Sequence, residues 1–229
     1  MIAPAMIILA VDTSGRQGSV ALGRQNAGAF EVLGLAFLEG RTYSARLVPA
    51  IAGLLASAGL SKSDLDGFVV VDGPGSFTGL RVGLSTVKAL CEVMRRPLTV
   101  VSMLEALAII YGTDHSTVTA VLDAGRGEVY AADYEISAPG PRLKRQFMVK
   151  LADIGSQFSA DRNVITTFRE AAGTLAGLGR VEVVQPLHAD TIARIGMRKL
   201  LAGDTVDPTA LDANYIRRSD AELFSRPSR

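Results

Sequence analysis

Apolar positions in the first hundred residues switch between continuous runs and helical spacing. Ile7 to Val11 is an apolar run rich in β-branched residues that stops at Asp12-Thr13-Ser14-Gly15, and Ser19-Val20-Ala21-Leu22 resumes after the turn, which predicts a hairpin. A third strand is expected near Val32 to Leu38. Ser44 can then cap a helix whose apolar positions Leu47, Val48, Ile51, Leu54 and Leu55 follow helical spacing, with Pro49 bending its first turns and Gly59 ending it. Phe68-Val69-Val70-Val71 has no polar face, as befits a strand covered on both sides of its sheet, and Asp72-Gly73-Pro74-Gly75 turns the chain. The pattern is helical from Ser76 to about Met94, extended from Leu98 to Val101, and helical again behind Ser102 with Leu104, Leu107, Ala108 and Tyr111.

The second half restarts this pattern. Val118 to Leu122 leads into Asp123-Ala124-Gly125-Arg126-Gly127-Glu128 and then Val129 to Tyr134, repeating the strand, Asp, Gly-Arg turn and strand of Val11-Asp12-Thr13-Ser14-Gly15-Arg16 at an offset of 111 positions between the two Asp residues. Two lobes of similar topology are expected, residues 1–112 and 113–229, hinged near Tyr111 to Thr117, with the segment from about 205 packing back on the first lobe. Further on, the sequence predicts a Pro/Gly loop at Pro139-Gly140-Pro141, strands at Val164-Ile165-Thr166 and Val181 to Val184, and a helix from Asp190 to Leu201 ended by Gly203. A cationic tail runs from Asn214 to Arg229.

At 229 residues, 48% hydrophobic and 21% charged, the chain is large enough for one sizeable domain or two small ones, which excludes general disorder. The balance of 24 Lys+Arg against 23 Asp+Glu supplies no summed positive field for non-specific nucleic-acid binding, so contact with RNA would require a partner. One cysteine, Cys91, and two histidines, His115 and His188, provide neither an intrachain disulfide nor an ordinary zinc site. No Lys or Arg precedes the first apolar stretch, which soon meets Asp12, and the apolar run from Pro97 to Gly112 contains Glu105. Neither a signal peptide nor a membrane span is expected, and the reducing cytoplasm is the expected compartment. Met6 is an alternative start to Met1.

A strand that ends in Asp before a small-residue hairpin is how each lobe of the actin, sugar-kinase and Hsp70 superfamily begins. On that reading Asp12 would hold a water of a bound magnesium ion; on the plainer one, which we favour, its carboxylate fixes its own turn. Asp123 admits the same two readings. The block Gly73-Pro74-Gly75-Ser76-Phe77-Thr78-Gly79-Leu80-Arg81-Val82-Gly83 lacks the Lys and hydroxyl pair of a P-loop and the spacing of a dinucleotide fingerprint. Its small residues Ser76, Gly79, Gly83 and Thr86 fall on one helix side, which a second helix can approach closely. Spacing alone does not decide whether that helix is internal, but Leu84, Val87, Leu90, Cys91 and Met94 already offer an apolar face to the chain's own sheet, so an external helix is expected.

Independent catalysis finds little support. No His-Glu-x-x-His pair and no Gly-x-Ser-x-Gly elbow occur, so Ser14, Ser19 and Ser76 are better read as caps and turn residues, and Cys91 as a buried thiol. Asp123, Arg126 and Glu128 could form a charged cluster, but around a tight hairpin they more readily satisfy one another and the turn. The basic side formed by Arg194, Arg198 and Lys199 reads as a solvated helix face.

Taken together, Ile8-Leu9-Ala10-Val11-Asp12-Thr13-Ser14, the Gly73 to Gly83 block, Asp123-Ala124 with Arg126-Gly127-Glu128-Val129-Tyr130, and Tyr215-Ile216-Arg217 resemble the bacterial TsaB (YeaZ) family, from Met6 to about Arg217. The resemblance implies an α/β, two-lobed actin/Hsp70/sugar-kinase-like (ASKHA) fold with duplicated mixed-sheet lobes, the second reduced. It implies a part in forming threonylcarbamoyladenosine beside the anticodon of tRNAs that read A-starting codons, as a companion of the TsaD transferase rather than a catalyst. Pairing with TsaD and with a second copy through the two helices of the first lobe, an ATPase partner TsaE, and indirect contact with tRNA are implied as well. No cofactor of its own is expected; ATP and magnesium would enter only at the level of the complex. The docking residues expected are Leu47 and Ile51 on the first helix and Ser76, Phe77, Gly79, Leu80, Arg81 and Gly83 on the second. Arg41-Thr42-Tyr43-Ser44 departs from the family, which commonly has His where Tyr43 stands. The alternative readings are a small-molecule kinase or ATPase that uses both Asp turns and, less favoured, a peptidase.

Overall fold

The computed structural model describes residues 5–40, 42–112, 117–138, 140–158, 162–214 and 216. It separates into two units, one built from the chain up to Ala106 together with Pro186–Ala213, the other from Leu107–Gln185.

In the first unit, β1 (Met6–Asp12), β2 (Gln17–Asn26) and β3 (Ala29–Glu39) form an antiparallel meander. The helix α1 (Tyr43–Ser57) leads to β4 (Gly67–Gly73), and α2 (Phe77–Met94) leads to β5 (Leu98–Ser102). β4 lies parallel to β1 and β5 parallel to β4, giving the order β3-β2-β1-β4-β5. The residues of the unbroken apolar runs, Ile8 to Val11 and Phe68 to Val71, are all buried, because helices cover both faces of these central strands. Strand alternation shows the two layers directly: Gly18 of β2 abuts the Tyr43 ring of α1, while its neighbour Ser19 faces the opposite side.

After α3 (Met103–Tyr111), the second unit repeats the same path. β6 (Thr117–Gly125), β7 (Glu128–Ser137) and β8 (Gly140–Lys150) are antiparallel, β9 (Arg162–Thr166) joins β6 in parallel and β10 (Gly179–Val183) joins β9, giving β10-β9-β6-β7-β8. β1 and β6 occupy the same place in the two sheets, and they begin 111 positions apart at Met6 and Thr117. The second unit is the reduced one: short turns at Leu151–Gln157 and 169–178, including the four-residue α4 (Ala172–Leu175), cover a core of Val121, Val129, Ala131, Ile154, Val164 and Leu175 where the first unit uses long helices. Two mixed-sheet lobes with one strand order are the actin-like architecture expected.

The structure differs from the sequence expectation in two places. The division at 112/113 assigns the helix near 190–201 to the second lobe, but α5 (Ala189–Leu201) packs on β1, β2, β4 and β5 of the first unit, so the chain returns at Pro186 rather than near 205. Its N-terminus is held by the Ala189 N–H donating to Ser19 Oγ at 2.8 Å, and Lys199 pairs with Glu105 at 3.3 Å. The following segment is tied by the Val206 N–H to the Leu98 carbonyl (2.8 Å) and by Lys88 Nζ to the Leu211 carbonyl (2.7 Å). Second, β8 extends for eleven residues where only the Pro/Gly loop at its start was expected. Its charges hide the strand from a hydrophobicity reading: Arg145 donates to Asp133 and Arg142 to Glu135, across the ladder. The motif Tyr215-Ile216-Arg217 and the cationic tail lie outside the described residues, apart from Asn214 and Ile216.

The close seat of α5 depends on Gly196, where a Cβ would sit 2.3 Å from Val69 Cγ1. Gly196→Ala is therefore expected to destabilise the protein by about 1–3 kcal/mol despite alanine's better helix propensity, measured by urea unfolding. In a Val69→Ala background Gly196→Ala should cost less than in the wild type, because the two nearest atoms, Val69 Cγ1 and Cγ2, are removed while Cβ, 2.9 Å away, remains.

Candidate docking face on the first two helices

The turn between β1 and β2 and the start of α2 form one hydrogen-bonded unit. Asp12 Oδ1 accepts from the Ser14 N–H at 2.9 Å and from Ser14 Oγ at 2.6 Å. The Ser14 carbonyl in turn accepts from the Ser76 N–H at 2.7 Å, and Thr13 Oγ1 donates to the Gly79 carbonyl at 2.7 Å. Ser76 caps α2, its Oγ accepting from the Gly79 N–H at 3.3 Å. From the other side the Tyr43 hydroxyl donates to the Gly15 carbonyl at 2.8 Å, its ring lodged against Gly18 and Gly79. Burial pushes the Tyr43 phenol up to about 12, so it remains a neutral donor at physiological pH.

This unit uses up the small-residue side of α2. A Cβ at Gly75 would lie 2.4 Å from the Ser14 carbonyl oxygen, one at Gly79 2.1 Å from that of Thr13, and one at Gly83 2.3 Å from Thr13 Oγ1. The expectation that an external helix fills this side is therefore corrected: the chain's own β1–β2 turn does. Gly79 and Gly83 are buried, as are Leu80 (1% exposed), Leu47 (1%) and Ile51 (6%), whose side chains serve the chain's own core. Of the expected docking residues, Ser76, Phe77 and Arg81 face outward.

The surface that does face outward is different and was missed. Along α1, Ala45, Pro49, Ala52, Gly53 and Ala56 are all exposed, at i, i+4, i+7, i+8 and i+11, and Val48 beside them is 60% exposed. A Cβ at Gly53 would meet nothing within 4 Å. The signal lay in the sequence, in small residues at helical spacing, but the glycine block of α2 drew the inference away. An open groove of about 470 Å³ is lined by Ser44 at the start of α1 and by Phe77, Thr78, Arg81, Val82, Ser85 and Thr86 of α2; none of the stripe residues lines it. Phe77 is 39% exposed, and the Arg81 guanidinium stacks on its ring 3.8 Å from the centroid.

The two Asp turns share geometry but not setting. Asp123 Oδ1 accepts from the Gly125 N–H at 2.8 Å just as Asp12 accepts from Ser14, yet Asp123 is exposed and Asp12 is 3% exposed. Burial raises the Asp12 carboxyl above its ordinary range, against the opposing effect of its Ser14 bonds. Among the described residues no three His, Cys, Asp or Glu side chains gather into a metal-binding group, and His115 lies outside them. His188 stacks edge-on against Phe37, and burial pushes the Cys91 thiol up to about 12, where it is inert.

Two outcomes follow from this geometry. Gly83→Ala and Gly79→Ala should each cost the monomer about 1–3 kcal/mol by displacing the Thr13 turn, lowering the thermal midpoint whether or not a partner is present. Asp12→Asn keeps an acceptor for the Ser14 N–H without a buried charge. A raised folded pKa means that Asp12 favours folding when protonated and loses that contribution as pH rises through its folded value. The variant should therefore gain on the wild type at neutral pH and converge with it in acid, as read from unfolding curves over pH.

A family model described as TsaD: tRNA N6-adenosine threonylcarbamoyltransferase matches residues 38–144. The chain is 35% identical over 130 residues to the tRNA threonylcarbamoyladenosine biosynthesis protein TsaB of Bacillus subtilis, covering 57% of this chain and 56% of that protein. It is 36% identical over 135 residues to the TsaB of Escherichia coli, so it spans little more than half the length of either relative, 55% in the second case. An uncharacterized protein of Mycobacterium bovis is 35% identical over 218 residues, 94% of this chain and 93% of its own. Among solved structures, YeaZ from Pseudomonas aeruginosa superposes with a TM-score of 0.71 at 25% identity, covering 92% of this chain and 99% of that one. A crystal structure of an uncharacterized Pseudomonas aeruginosa protein with similarity to peptidase YEAZ gives 0.73 at 25% identity, over 93% and 100%. The TsaB proteins match 57% of this chain in sequence and the YeaZ structures cover 92–93% of it in fold, and on these two likenesses together the chain belongs to the TsaB/YeaZ family.

Proposed function

We propose that this chain is a non-catalytic subunit in the formation of threonylcarbamoyladenosine on tRNA, and that it docks on a TsaD transferase through the outer face of α1 and α2. The observation that carries the reading is the exposed small-residue stripe along α1, a surface with relief for a packed helix, together with the open Phe77–Arg81 groove on α2. The TsaB relatives supply the reaction by their names, and the TsaD-family match over residues 38–144 includes both helices. Catalysis then belongs to the partner. ATP, magnesium and a TsaE ATPase act at the level of the complex, tRNA is reached through it, and the compartment is the cytoplasm. The same helices serve a homodimer when the partner is absent.

Two rival readings fare worse on the geometry. A kinase or ATPase needs the β1–β2 turn open to phosphate and its Asp open to a metal. Here the Ser14 N–H is spent on Asp12, the Ser14 carbonyl holds α2, and Asp12 is buried. Micromolar binding and turnover of Mg-ATP by the isolated chain, read by calorimetry, would restore that reading. A peptidase requires a metal group or an activated nucleophile, and chelator-sensitive cleavage by the purified chain would be its sign.

The direct test is chromatography with light scattering on this protein mixed with the TsaD of its own organism, followed by modification of unmodified tRNA. A heterodimer that gains threonylcarbamoyl transfer over TsaD alone is expected; no association would overturn the proposal. Ala52→Trp, on the exposed stripe, should weaken pairing roughly tenfold or more while leaving the thermal midpoint of the monomer unchanged.

A further inference from the structure

In the second unit the cations of β8 gather on one face of the sheet. Arg142 and Arg145 are three positions apart, which in a regular strand would turn them to opposite faces. A bulge prevents this: β7 pairs Tyr134 with Leu143 and Asp133 with Arg145, so Lys144 is an extra residue in the ladder. Arg142 and Lys144 both reach Glu135 Oε2, at 2.6 Å each, while Arg145 and Arg162 of β9 both reach Asp133, the latter at 3.2 Å. The two carboxylates stand two positions apart on β7 and so share a face. Four cations thus divide two carboxylates between them, an excess of two positive charges. Asp133 is buried and also accepts from Thr119 Oγ1 at 2.6 Å, and hydrogen bonds from Lys144 and Arg142 pull the Glu135 carboxyl down to about 2. Arg145 donates to the Gln157 carbonyl at 2.7 Å as well, and its guanidinium and that of Arg162 each lie 5.2 Å from the centre of the Phe158 ring.

We infer that this face of the second unit is a contact for the phosphate backbone of RNA, used once the tRNA is held in the complex. The inference rests on the function proposed above and adds a surface by which this chain itself touches the nucleic acid. Protecting a sheet edge needs charge on the edge strand alone. Arg162 comes from β9, an interior strand of the order β10-β9-β6-β7-β8, and reaches across β6 to Asp133, so the cluster exceeds what edge protection asks for. Its guanidiniums are pinned by carboxylate, carbonyl and ring contacts, yet each keeps N–H donors beyond those bonds, because a guanidinium has five. Fixed forks of that kind suit phosphate oxygens. The cations form an open row on exposed side chains, where a single phosphate would gain little against water and salt. A polyanion gains from several such contacts at once. With a net charge of only +1 over the chain, the face adds to binding that the partner begins, and the high effective concentration within the complex makes weak contacts count.

The test uses the full chain in complex with the TsaD of the same organism and unmodified tRNA, with affinity read by fluorescence anisotropy between about 50 and about 200 mM salt. Arg142→Gln with Lys144→Gln, both exposed and both partnered by Glu135, should lower tRNA affinity roughly tenfold and make its salt dependence shallower by about two phosphate contacts. Glu135→Gln removes the same ion pairs but raises the net positive charge, so it should tighten tRNA by about threefold. A cluster that served only the fold would not give these opposite signs. Both variants should keep the wild-type circular dichroism melt and the wild-type affinity for TsaD. Unchanged tRNA affinity and salt dependence in both, with the complex formed and the modification intact, would overturn the inference and leave the proposed function standing. Weaker binding of TsaD rather than of tRNA by the glutamine pair would also overturn it, assigning the face to an acidic protein surface. Absence of any complex with the wild type would overturn the function and the inference together.

Discussion

The clasp between the β1–β2 turn and the first turns of α2 is what the first unit depends on. Thr13 and Ser14 give α2 a hydroxyl donor and a carbonyl acceptor, and α2 returns a carbonyl at Gly79 and an N–H at Ser76. Reciprocal bonds of this kind satisfy groups that a helix start and a tight turn would otherwise leave without partners in the interior. They form because Gly75 and Gly79 let backbone approach the Ser14 and Thr13 backbone and Gly83 leaves room for the Thr13 side chain, so three residues without side chains fix where an eighteen-residue helix lies on its sheet. Tyr43 then closes the clasp from α1, and the two helices become one surface.

The clasp also sets the two Asp turns of the chain apart. In the second unit the equivalent turn is exposed, with Arg126 in the left-handed region between Gly125 and Gly127 and nothing packed over it within the reach of those glycines. In the first unit the same Asp geometry sits beneath α2. The raised Asp12 carboxyl reflects that covering: burial outweighs two hydrogen bonds that would each favour the ion. One sequence device, duplicated, has become a strut in one lobe and a surface hairpin in the other.

Most of the architecture was legible in the sequence because the first unit obeys local rules. The unbroken runs at Ile7 and Phe68 are central strands, Ser76 is a cap, and the repeated Asp turn marks the same position in two sheets of one topology. What escaped was non-local. Nothing in the periodicity of 189–201 says which sheet it covers; that is decided by Gly196 over Val69 and by Ser19, 170 positions away from the N–H it accepts. β8 was hidden because its charges, which read as loop, are partnered across the ladder by Asp133 and Glu135. The docking residues show the same limit more sharply. A row of small residues marks a close approach, but Gly79 and Ala52 are indistinguishable until the structure shows Thr13 against one and open solvent beside the other.

The division of labour between the two rows of small residues gives the face its properties. The inner row is rigid because it is filled by backbone, and overfilling it costs stability rather than affinity. The outer row is supported from beneath by Leu47, Ile51 and Leu55, which are buried one helical step away, so its shape is set before any partner arrives. A preset, nearly uncharged stripe offers contact area but little discrimination, since many helices could lie along it. Close packing within the chain thus fixes the inner row, and the exposed outer row takes its form from the core beneath it.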